Sequence, residues 1–276
     1  DGVGIGFQYD LETGALLSQS LPAGEIRYSY SSATGNLYRI EAPDGGMISY
    51  TYDGALPMSE TWAGTIAGSV SRTYDSSLRV STQSVNGADA VNFTYDRDDL
   101  LTAAGAMTLS RDAANGLLIG TSVGSVTDTL GYNADGEVTS YTASVSGTPA
   151  LQVVYTRDDL GRIIGKGETV DGVTDTYVYG YDTAGRLSDV TKNGMPVAHY
   201  EYDPNGNRIA GSFNEQEGDL LGADYDEQDR LRFYTTTATG RTDYEYNANG
   251  ELTAKTLQST GETTSYTYDV LGNLLS

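Results

Sequence analysis

The sequence predicts an all-β protein built from tandem antiparallel β-hairpins. A tyrosine-aspartate unit recurs at intervals near 21 residues, aromatic residues alternate in the strand before it, and turn-forming residues follow it. Repeats of about 20–50 residues are typical of arrays in which each unit packs mainly against its neighbours. We count thirteen copies, so the period alone already indicates the fold class.

Each copy starts at a position that is usually tyrosine. Two strands and two turns fill one period comfortably, since strands are commonly about 5–6 residues long, and thirteen copies predict about 26 strands. Open twisted sheets rarely exceed ~10 strands without curling, so we expect a coiled, spiral β-sheet. The starting position is occupied by Tyr9, Tyr30, Tyr52, Tyr74, Tyr95, Arg111, Tyr132, Arg157, Tyr181, Tyr202, Tyr225, Tyr246 and Tyr268.

The clearest copy runs from Tyr181 to Arg208, after a strand with alternating tyrosines at 177, 179 and 181. Its alternating aromatic residues end at Tyr181, and side chains two positions apart share one face of a strand. Asp182 can start the turn by accepting backbone N–H groups, and Gly185 permits a positive φ. Arg186 and Leu187 open the returning strand, which matches a type I turn with a glycine bulge. Later copies place the same turn residues at Asp203, Gly206, Gly250, Asp269 and Gly272.

Some copies depart from this turn. Leu56 and Leu78 stand where glycine is usual, and leucine resists a positive φ, so we predict altered turns at both places. Asp99 and Asp229 are milder departures, because aspartate tolerates the left-handed region better. A second turn closes each unit, and two-residue hairpin turns are predicted at Asp44-Gly45, Asn86-Gly87, Asp171-Gly172 and Asn193-Gly194.

The composition is strongly acidic. Lys and Arg together number 16 against 38 Asp and Glu, which gives a formal net charge of −22. Such a surface repels phosphate backbones and anionic lipid, so we expect neither nucleic acid nor a membrane as a partner. The chain has no cysteine, which excludes disulfides and thiolate metal sites. No apolar run approaches the roughly 18 residues of a membrane span.

The sequence does not indicate catalytic residues. His199 is the sole histidine and falls on a predicted strand, so we interpret it as structural, with a solitary catalytic base as the alternative. A Ser-His-Asp arrangement could be drawn, but no nucleophile-elbow signature accompanies it. The acid pairs Asp98-Asp99 and Asp158-Asp159 invite comparison with a glycosidase, yet both lie at the repeated turn, where aspartate has a structural role. We therefore predict that the chain is not an enzyme.

Calcium is the metal that the sequence suggests most clearly. Asp203, Asn205 and Asn207 alternate as in a calcium loop, but the twelfth position is Asn214, where a glutamate is needed. The acidic segment 214–226 could also collect a cation. We predict no metal and no cofactor, and keep Asp203, Asn205 and Asn207 as the alternative site.

The unit Y-x-Y-D-x-x-G-R-L resembles a known repeat. Its most specific copies cover residues 158–163, 179–187 and 200–209. On these residues the chain resembles the YD repeats of the Rhs family, of the BC components of insecticidal toxin complexes and of the teneurin shell. The resemblance implies a hollow β-shell. In bacteria such a shell commonly encloses a C-terminal toxic domain, and in animals it serves adhesion.

The resemblance also implies partners. Self-cleaving members carry an aspartate-based motif after the repeats, usually preceded by a D-P-x-G-like stretch, and here residues 203–206 provide such a stretch in the middle of the array. We expect one array over residues 1–276, a fragment of a longer shell in an exported bacterial protein, secreted or at the cell surface. Its expected partners are the rest of that shell and an enclosed cargo domain. The alternative is a surface-adhesion or carbohydrate-binding array that uses tyrosine rows such as Tyr244 and Tyr246.

Overall fold

The computed structural model describes residues 4–213 and 218–276. These residues form 25 β-strands, and no helix occurs among them. In this part of the chain, no helix is long and apolar enough to span a membrane. The predicted all-β class is confirmed, and the number of strands is close to the expected total. Two compact units, Asp1–Gly124 and Ser125–Ser276, divide the chain, and the single array over 1–276 stays a prediction.

The first unit has twelve strands among its described residues. Each strand pairs antiparallel with the next one along the chain, as expected of consecutive hairpins. The strands are β1 (Gly6–Tyr9), β2 (Leu16–Leu21), β3 (Gly24–Tyr30), β4 (Leu37–Glu41), β5 (Met47–Asp53), β6 (Leu56–Ala63), β7 (Gly68–Tyr74), β8 (Val80–Val85), β9 (Ala88–Tyr95), β10 (Leu101–Ala104), β11 (Met107–Arg111) and β12 (Leu118–Val123).

The second unit has thirteen strands in its described part, again paired antiparallel in chain order. In the last repeat, Tyr268 forms an isolated bridge with Leu274. The strands are β13 (Val126–Tyr132), β14 (Val138–Val145), β15 (Thr148–Arg157), β16 (Ile163–Val170), β17 (Val173–Tyr181), β18 (Leu187–Lys192), β19 (Met195–Tyr202), β20 (Arg208–Phe213), β21 (Leu220–Tyr225), β22 (Leu231–Thr236), β23 (Gly240–Tyr246), β24 (Leu252–Leu257) and β25 (Glu262–Ser265).

The repeat turn between β17 and β18 shows the predicted geometry. Asp182 N donates to Arg186 O at 2.8 Å, and Gly185 N donates to Asp182 O at 3.0 Å. Gly185 has a φ of +82°, and the pairing register shifts between Gly180 and Tyr181. The glycine-bulge turn expected from the sequence is therefore confirmed.

The two copies with leucine in place of glycine differ from each other. Leu78 adopts a φ of +62° and donates its N–H to Asp75 O at 3.0 Å, so this turn keeps the common geometry. The prediction of an altered turn at Leu78 was wrong, because the hydrogen bonds that close the turn outweigh the ~1–2 kcal/mol cost of a left-handed residue. At Leu56 the prediction is confirmed, since Leu56 pairs with Asp53 across a short loop in which Gly54 has a φ of +60°.

The second turn of each unit mostly follows the prediction. A left-handed residue precedes glycine in three two-residue turns, with φ of 53°, 47° and 51° at Asn86, Asp171 and Asn193. The prediction was wrong at Asp44-Gly45, where Ala42 N donates to Gly46 O at 2.8 Å and five residues connect the strands. Pro43 lacks an N–H and cannot extend the ladder, so this loop is longer.

Neither unit buries much apolar surface. Among the described residues, the buried apolar side chains are Val153, 6% exposed, and Leu220, 8% exposed. Most other strand side chains, including most motif tyrosines, are half-buried. Contacts between cross-strand neighbours therefore carry much of the packing within each unit.

Candidate functional site

The most regular side-chain arrangement is a set of hydrogen bonds across the repeat turn, which we call the turn lock. It joins the first turn residue to the residue four positions later. Asp182 Oδ1 accepts the backbone N–H groups of Ala184 and Arg186, each at 2.9 Å, and Oδ2 accepts Arg186 Nε at 2.7 Å. Charge-assisted hydrogen bonds of this kind are stronger than neutral ones. The predicted motif residues Asp182 and Arg186 thus fix the turn that Gly185 makes possible.

The turn lock favours the ionised form of its carboxyl group. The Arg186 backbone N–H, and then its guanidinium, hold the pKa of Asp182 below its ordinary value. At Asp158 the Arg162 guanidinium is the main cause of the lowered pKa. The lock is therefore charged at neutral pH and weakens only in acid. The pKa is lowered in the same way at Asp75 and Asp226.

The two residues that form the turn lock differ from copy to copy, but one always supplies a hydrogen-bond donor and the other an acceptor. Asn133 Nδ2 donates to Glu137 Oε2 at 2.7 Å, so here the acid occupies the second position. At Asp203, the Oδ2 atom accepts Asn207 Nδ2 at 3.0 Å. Sequence reasoning missed this lock, although the pairing of donor and acceptor four residues apart was visible. Further pairs are Asp75–Arg79, Asp158–Arg162, Asp226–Arg230, Asn247–Glu251 and Asp269–Asn273.

The motif tyrosines connect each repeat to the one before it. Tyr202 Oη donates to Leu187 O at 2.8 Å, and Tyr181 Oη donates to Ile163 O at 2.6 Å. In both cases the acceptor is the first residue of the strand that follows the preceding repeat turn. The corresponding hydroxyl-to-carbonyl bond is made by Tyr52, Tyr74, Tyr95, Tyr225 and Tyr246.

Two copies make this connection with arginine. Arg157 Nη2 donates to Val138 O at 3.3 Å, and Arg111 Nε donates to Leu101 O at 3.1 Å. Both acceptors again begin the strand after the preceding turn. Arg157 also donates from Nη1 to Gly161 O at 2.8 Å, within its own turn. Arg111 and Arg157 therefore occupy the tyrosine-equivalent position that the spacing predicted.

The arginine of one lock also contacts the next repeat. Arg186 Cζ lies 4.7 Å from the ring centroid of Tyr202, and Arg186 Nη1 donates to Asp203 O at 2.7 Å. A guanidinium over a tyrosine ring is attracted by the ring quadrupole. Arg186 thus holds its own aspartate, the next ring and the next turn together. The same ring contact pairs Arg79 with Tyr95, Arg162 with Tyr181 and Arg230 with Tyr246.

In two turns, aspartate occupies the left-handed position that glycine usually takes, and a residue of the preceding turn lock contacts it. Asp99 and Asp229 adopt φ of 63° and 58° at that position. Arg79 Nη1, from the preceding turn, lies 2.5 Å from Asp99 Oδ1, and Asn207 Nδ2 donates to Asp229 Oδ1 at 2.7 Å. Aspartate is thus favoured where the preceding lock offers a donor and the backbone is left-handed.

The acid pairs that suggested a glycosidase take part in the turns. Asp158 accepts hydrogen bonds within its own lock, and Asp99 pairs with Arg79 of the preceding turn. Asp98 donates its backbone N–H to Asp96 Oδ1 at 2.9 Å. The turn role expected of Asp98, Asp99 and Asp158 therefore accounts for the contacts they make.

The alternative calcium residues are hydrogen-bonded to one another and to the next turn. Asn207 donates to Asp203, and Asn205 Nδ2 donates to Asp229 Oδ1 at 3.0 Å. Among the residues the structure describes, no group of three or more His, Cys, Asp or Glu side chains is arranged to hold a metal. Asn214, the twelfth position of the proposed calcium loop, lies outside the described residues.

The sole histidine contacts two carboxylates. His199 Nδ1 on β19 lies 2.8 Å from Asp189 Oδ1 on β18, and its Nε2 lies 3.7 Å from Glu201 Oε1. The hydrogen bond that His199 makes to Asp189 is the main cause of the raised pKa of His199. The prediction that His199 is a strand residue is confirmed.

Comparison with known proteins identifies the repeat. All of residues 1–276 match the family model described as Teneurin YD-shell. This chain belongs to the teneurin YD-shell family. The resemblance to YD repeats is therefore confirmed.

Two solved chains share the fold of this YD-shell chain. That of "Crystal Structure of TcdB2-TccC3-TEV" gives a TM-score of 0.72 at 15% identity, over 98% of this chain and 16% of that one. The chain in "Crystal Structure of TcdB2-TccC3 without hypervariable C-terminal region" gives a TM-score of 0.59 at 16% identity, and the match covers 98% of this chain and 15% of that one.

A curated protein matches part of the sequence. The tRNA nuclease WapA of Bacillus subtilis (strain 168) is 33% identical over 35% of this chain and 5% of its own length. The YD-shell chain thus spans only a small fraction of this relative and of the two solved chains.

Proposed function

We propose that this YD-shell chain is a non-catalytic wall segment that encloses or scaffolds a cargo domain in a secreted or cell-surface bacterial protein. The observation that carries the proposal is the set of bonds running from repeat to repeat. Arg186 reaches the next turn, and Tyr202 reaches back to the preceding one. Membership of a shell family supports the same role.

These bonds suit a structural wall because they act between neighbours and need no deep core. In repeat arrays, stability is approximately the sum of the repeats and the interfaces between nearest neighbours. Each turn lock rigidifies one hairpin, and each tyrosine bond adds an interface. The proposed partners are accordingly the rest of the parent shell and the enclosed domain.

The acidic surface supports the remaining part of the proposal. At a net charge of −22, the chain is repelled by phosphate backbones and by anionic lipid headgroups. We therefore propose no nucleic-acid partner and no membrane insertion for this segment. The nuclease activity in the name of the Bacillus relative is a property of that protein, of which the match covers 5%.

The geometry of the tyrosine rows does not favour the adhesion alternative. Tyr246 Oη donates to Leu231 O at 3.0 Å, and Arg230 lies 5.1 Å from its ring centroid. Tyr244 packs on Tyr234 with ring centroids 5.9 Å apart. These rings are engaged in contacts within the sheet, which limits the face they can offer to a sugar.

Limited proteolysis of the full parent protein tests enclosure. The domain outside the shell repeats should be cleaved much more slowly in the intact protein than when it is produced alone. Arg186→Ala removes the side-chain bond of one lock and the contacts of Arg186 with Tyr202 and Asp203, so it should expose the domain at a lower urea concentration. Arg232→Ala is the matched control, because Arg232 lies outside the locks and is 64% exposed. Equal cleavage rates for the isolated domain and the intact protein would show that nothing is enclosed.

A further inference from the structure

A second cluster of side chains lies away from the turn locks, on the strands β18 to β20. The register places His199 opposite Asp189 on one neighbouring strand and opposite Ser212 on the other. Directly opposed side chains have Cβ atoms about 4.5–5.5 Å apart. The three residues therefore form one row across three strands, with the histidine in the middle.

The carboxylate end of the row is held in place. Asp189 Oδ1 lies 2.8 Å from His199 Nδ1, and Asp189 Oδ2 accepts Ser188 Oγ at 2.7 Å. Gly180 lies opposite Asp189 on the preceding strand, β17, and a Cβ atom at Gly180 would lie 3.2 Å from Asp189 Cβ. The absence of a side chain at Gly180 thus leaves room for the carboxylate.

The serine end of the row is accessible. Ser212 is exposed, the His199 side chain is 45% exposed, and both line an open cavity of about 340 Å³ together with Asp189 and Thr191. When Nδ1–H donates to Asp189, the Nε2 atom of neutral His199 carries a lone pair. Ser212 lies directly opposite His199 in the pairing of β19 with β20, and Glu201 Oε1 lies 3.7 Å from the same Nε2 atom.

We propose that Ser212 is an activated nucleophile that accepts acyl groups from small activated esters, with His199 as its base and Asp189 as a positioning residue. This site goes beyond the wall function and does not depend on it. A nucleophile, a base and a group that orients the base are the parts that activation of serine requires.

The reaction balances without any other component. His199 Nε2 takes the Ser212 Oγ proton as Oγ forms a bond to the acyl carbon. The carbonyl π pair moves to oxygen and returns as the bond to the leaving phenolate breaks. The phenolate then receives the proton from His199, which gives acyl-Ser212 and free phenol.

Peptide mass spectrometry after reaction of the folded chain with p-nitrophenyl acetate tests the proposal. Acetylation should concentrate on Ser212, and His199→Gln should slow it by roughly 100-fold, the scale of a general base. Asp189→Asn should also slow it, and Ser84 is the internal control, because its hydroxyl pairs with Ser71 at 2.8 Å and not with a histidine. Circular dichroism checks that each variant is folded.

Three results would overturn the proposal. One is acetylation of Ser212 no faster than of Ser84, and another is labelling of Ser212 that is unchanged in His199→Gln. The third is acetylation of His199 itself, followed by hydrolysis of the acetyl group without its transfer to Ser212. A fluorophosphonate probe gives an independent reading, since it should form a stable Ser212 adduct in the wild type and none in Ser212→Ala.

Discussion

Two glycine-to-alanine substitutions in the second unit test whether the repeat turn requires a left-handed residue. Gly185 has a φ of +82°, where a β-carbon costs about 1–2 kcal/mol. Alanine also lowers the conformational entropy of the unfolded chain, which offsets ~0.4–1 kcal/mol of this cost. Gly185→Ala should therefore destabilise its hairpin by about 1 kcal/mol. Gly167 lies within β16 without a positive φ, and no atom stands within 4 Å of where its Cβ would be. Gly167→Ala should therefore stabilise by about 0.5–1 kcal/mol.

The two variants should differ by about 1.5–2 kcal/mol, or roughly 10–30-fold in the equilibrium for opening. Because repeat arrays can open locally, the assay is hydrogen exchange at the amides of Tyr181 and Leu187, which pair across the turn. Exchange there should be faster in Gly185→Ala and unchanged or slower in Gly167→Ala. Shifts in the same direction for both variants would refute the role assigned to the positive φ.

Three further predictions follow from individual contacts. Tyr202→Phe removes the hydroxyl that donates to Leu187 O, so the free energy of unfolding measured in urea should fall by about 0.5–1.5 kcal/mol; no change would mean that the bond contributes nothing. The pKa of Asp182 is lowered in the folded chain, so its stabilisation is present above the unfolded value near 3.8 and is lost as pH falls through the folded pKa. The wild type should therefore lose stability below about pH 4 more steeply than Asp182→Asn, and equal slopes would contradict the lock. NMR titration of the sole histidine should give a pKa above 6.5 that falls in Asp189→Asn. Any stabilisation from this raised pKa is present below the unfolded value and is lost as pH rises through the folded pKa.

The fold could be predicted from the sequence because its signals are local and repeated. Alternating tyrosines define a strand face, and an aspartate followed by glycine defines a turn, so each copy independently indicates the same hairpin. Leu78 shows the limit of this reasoning. Its propensity argues against a positive φ, but the hydrogen bond from its N–H to Asp75 O belongs to a turn that the surrounding hairpin already fixes.

The bonds between repeats were harder to predict, because they depend on distances between neighbours. The turn lock left a trace in the sequence, since Asp182 precedes Arg186 by four residues and Asn133 precedes Glu137 by the same interval. The contact between Arg186 and the Tyr202 ring has no such signal in the sequence, because it joins residues of different hairpins. The Ser212 row has the same origin, since strand register brings together residues that the sequence separates.

The copies that depart from the motif show what the tyrosine position requires. Arg157 replaces tyrosine there and still donates to Val138 O, as Tyr202 donates to Leu187 O. A phenol and a guanidinium share little except a long, partly apolar stem and a hydrogen-bond donor at its end. The position therefore requires a hydrogen-bond donor that can reach the carbonyl group of the first residue of the preceding strand. An aromatic ring is one of the side-chain structures that can place a donor there. Because few side chains are buried among the described residues of either unit, such bonds between neighbouring repeats supply part of the stabilisation that a hydrophobic core provides in other folds.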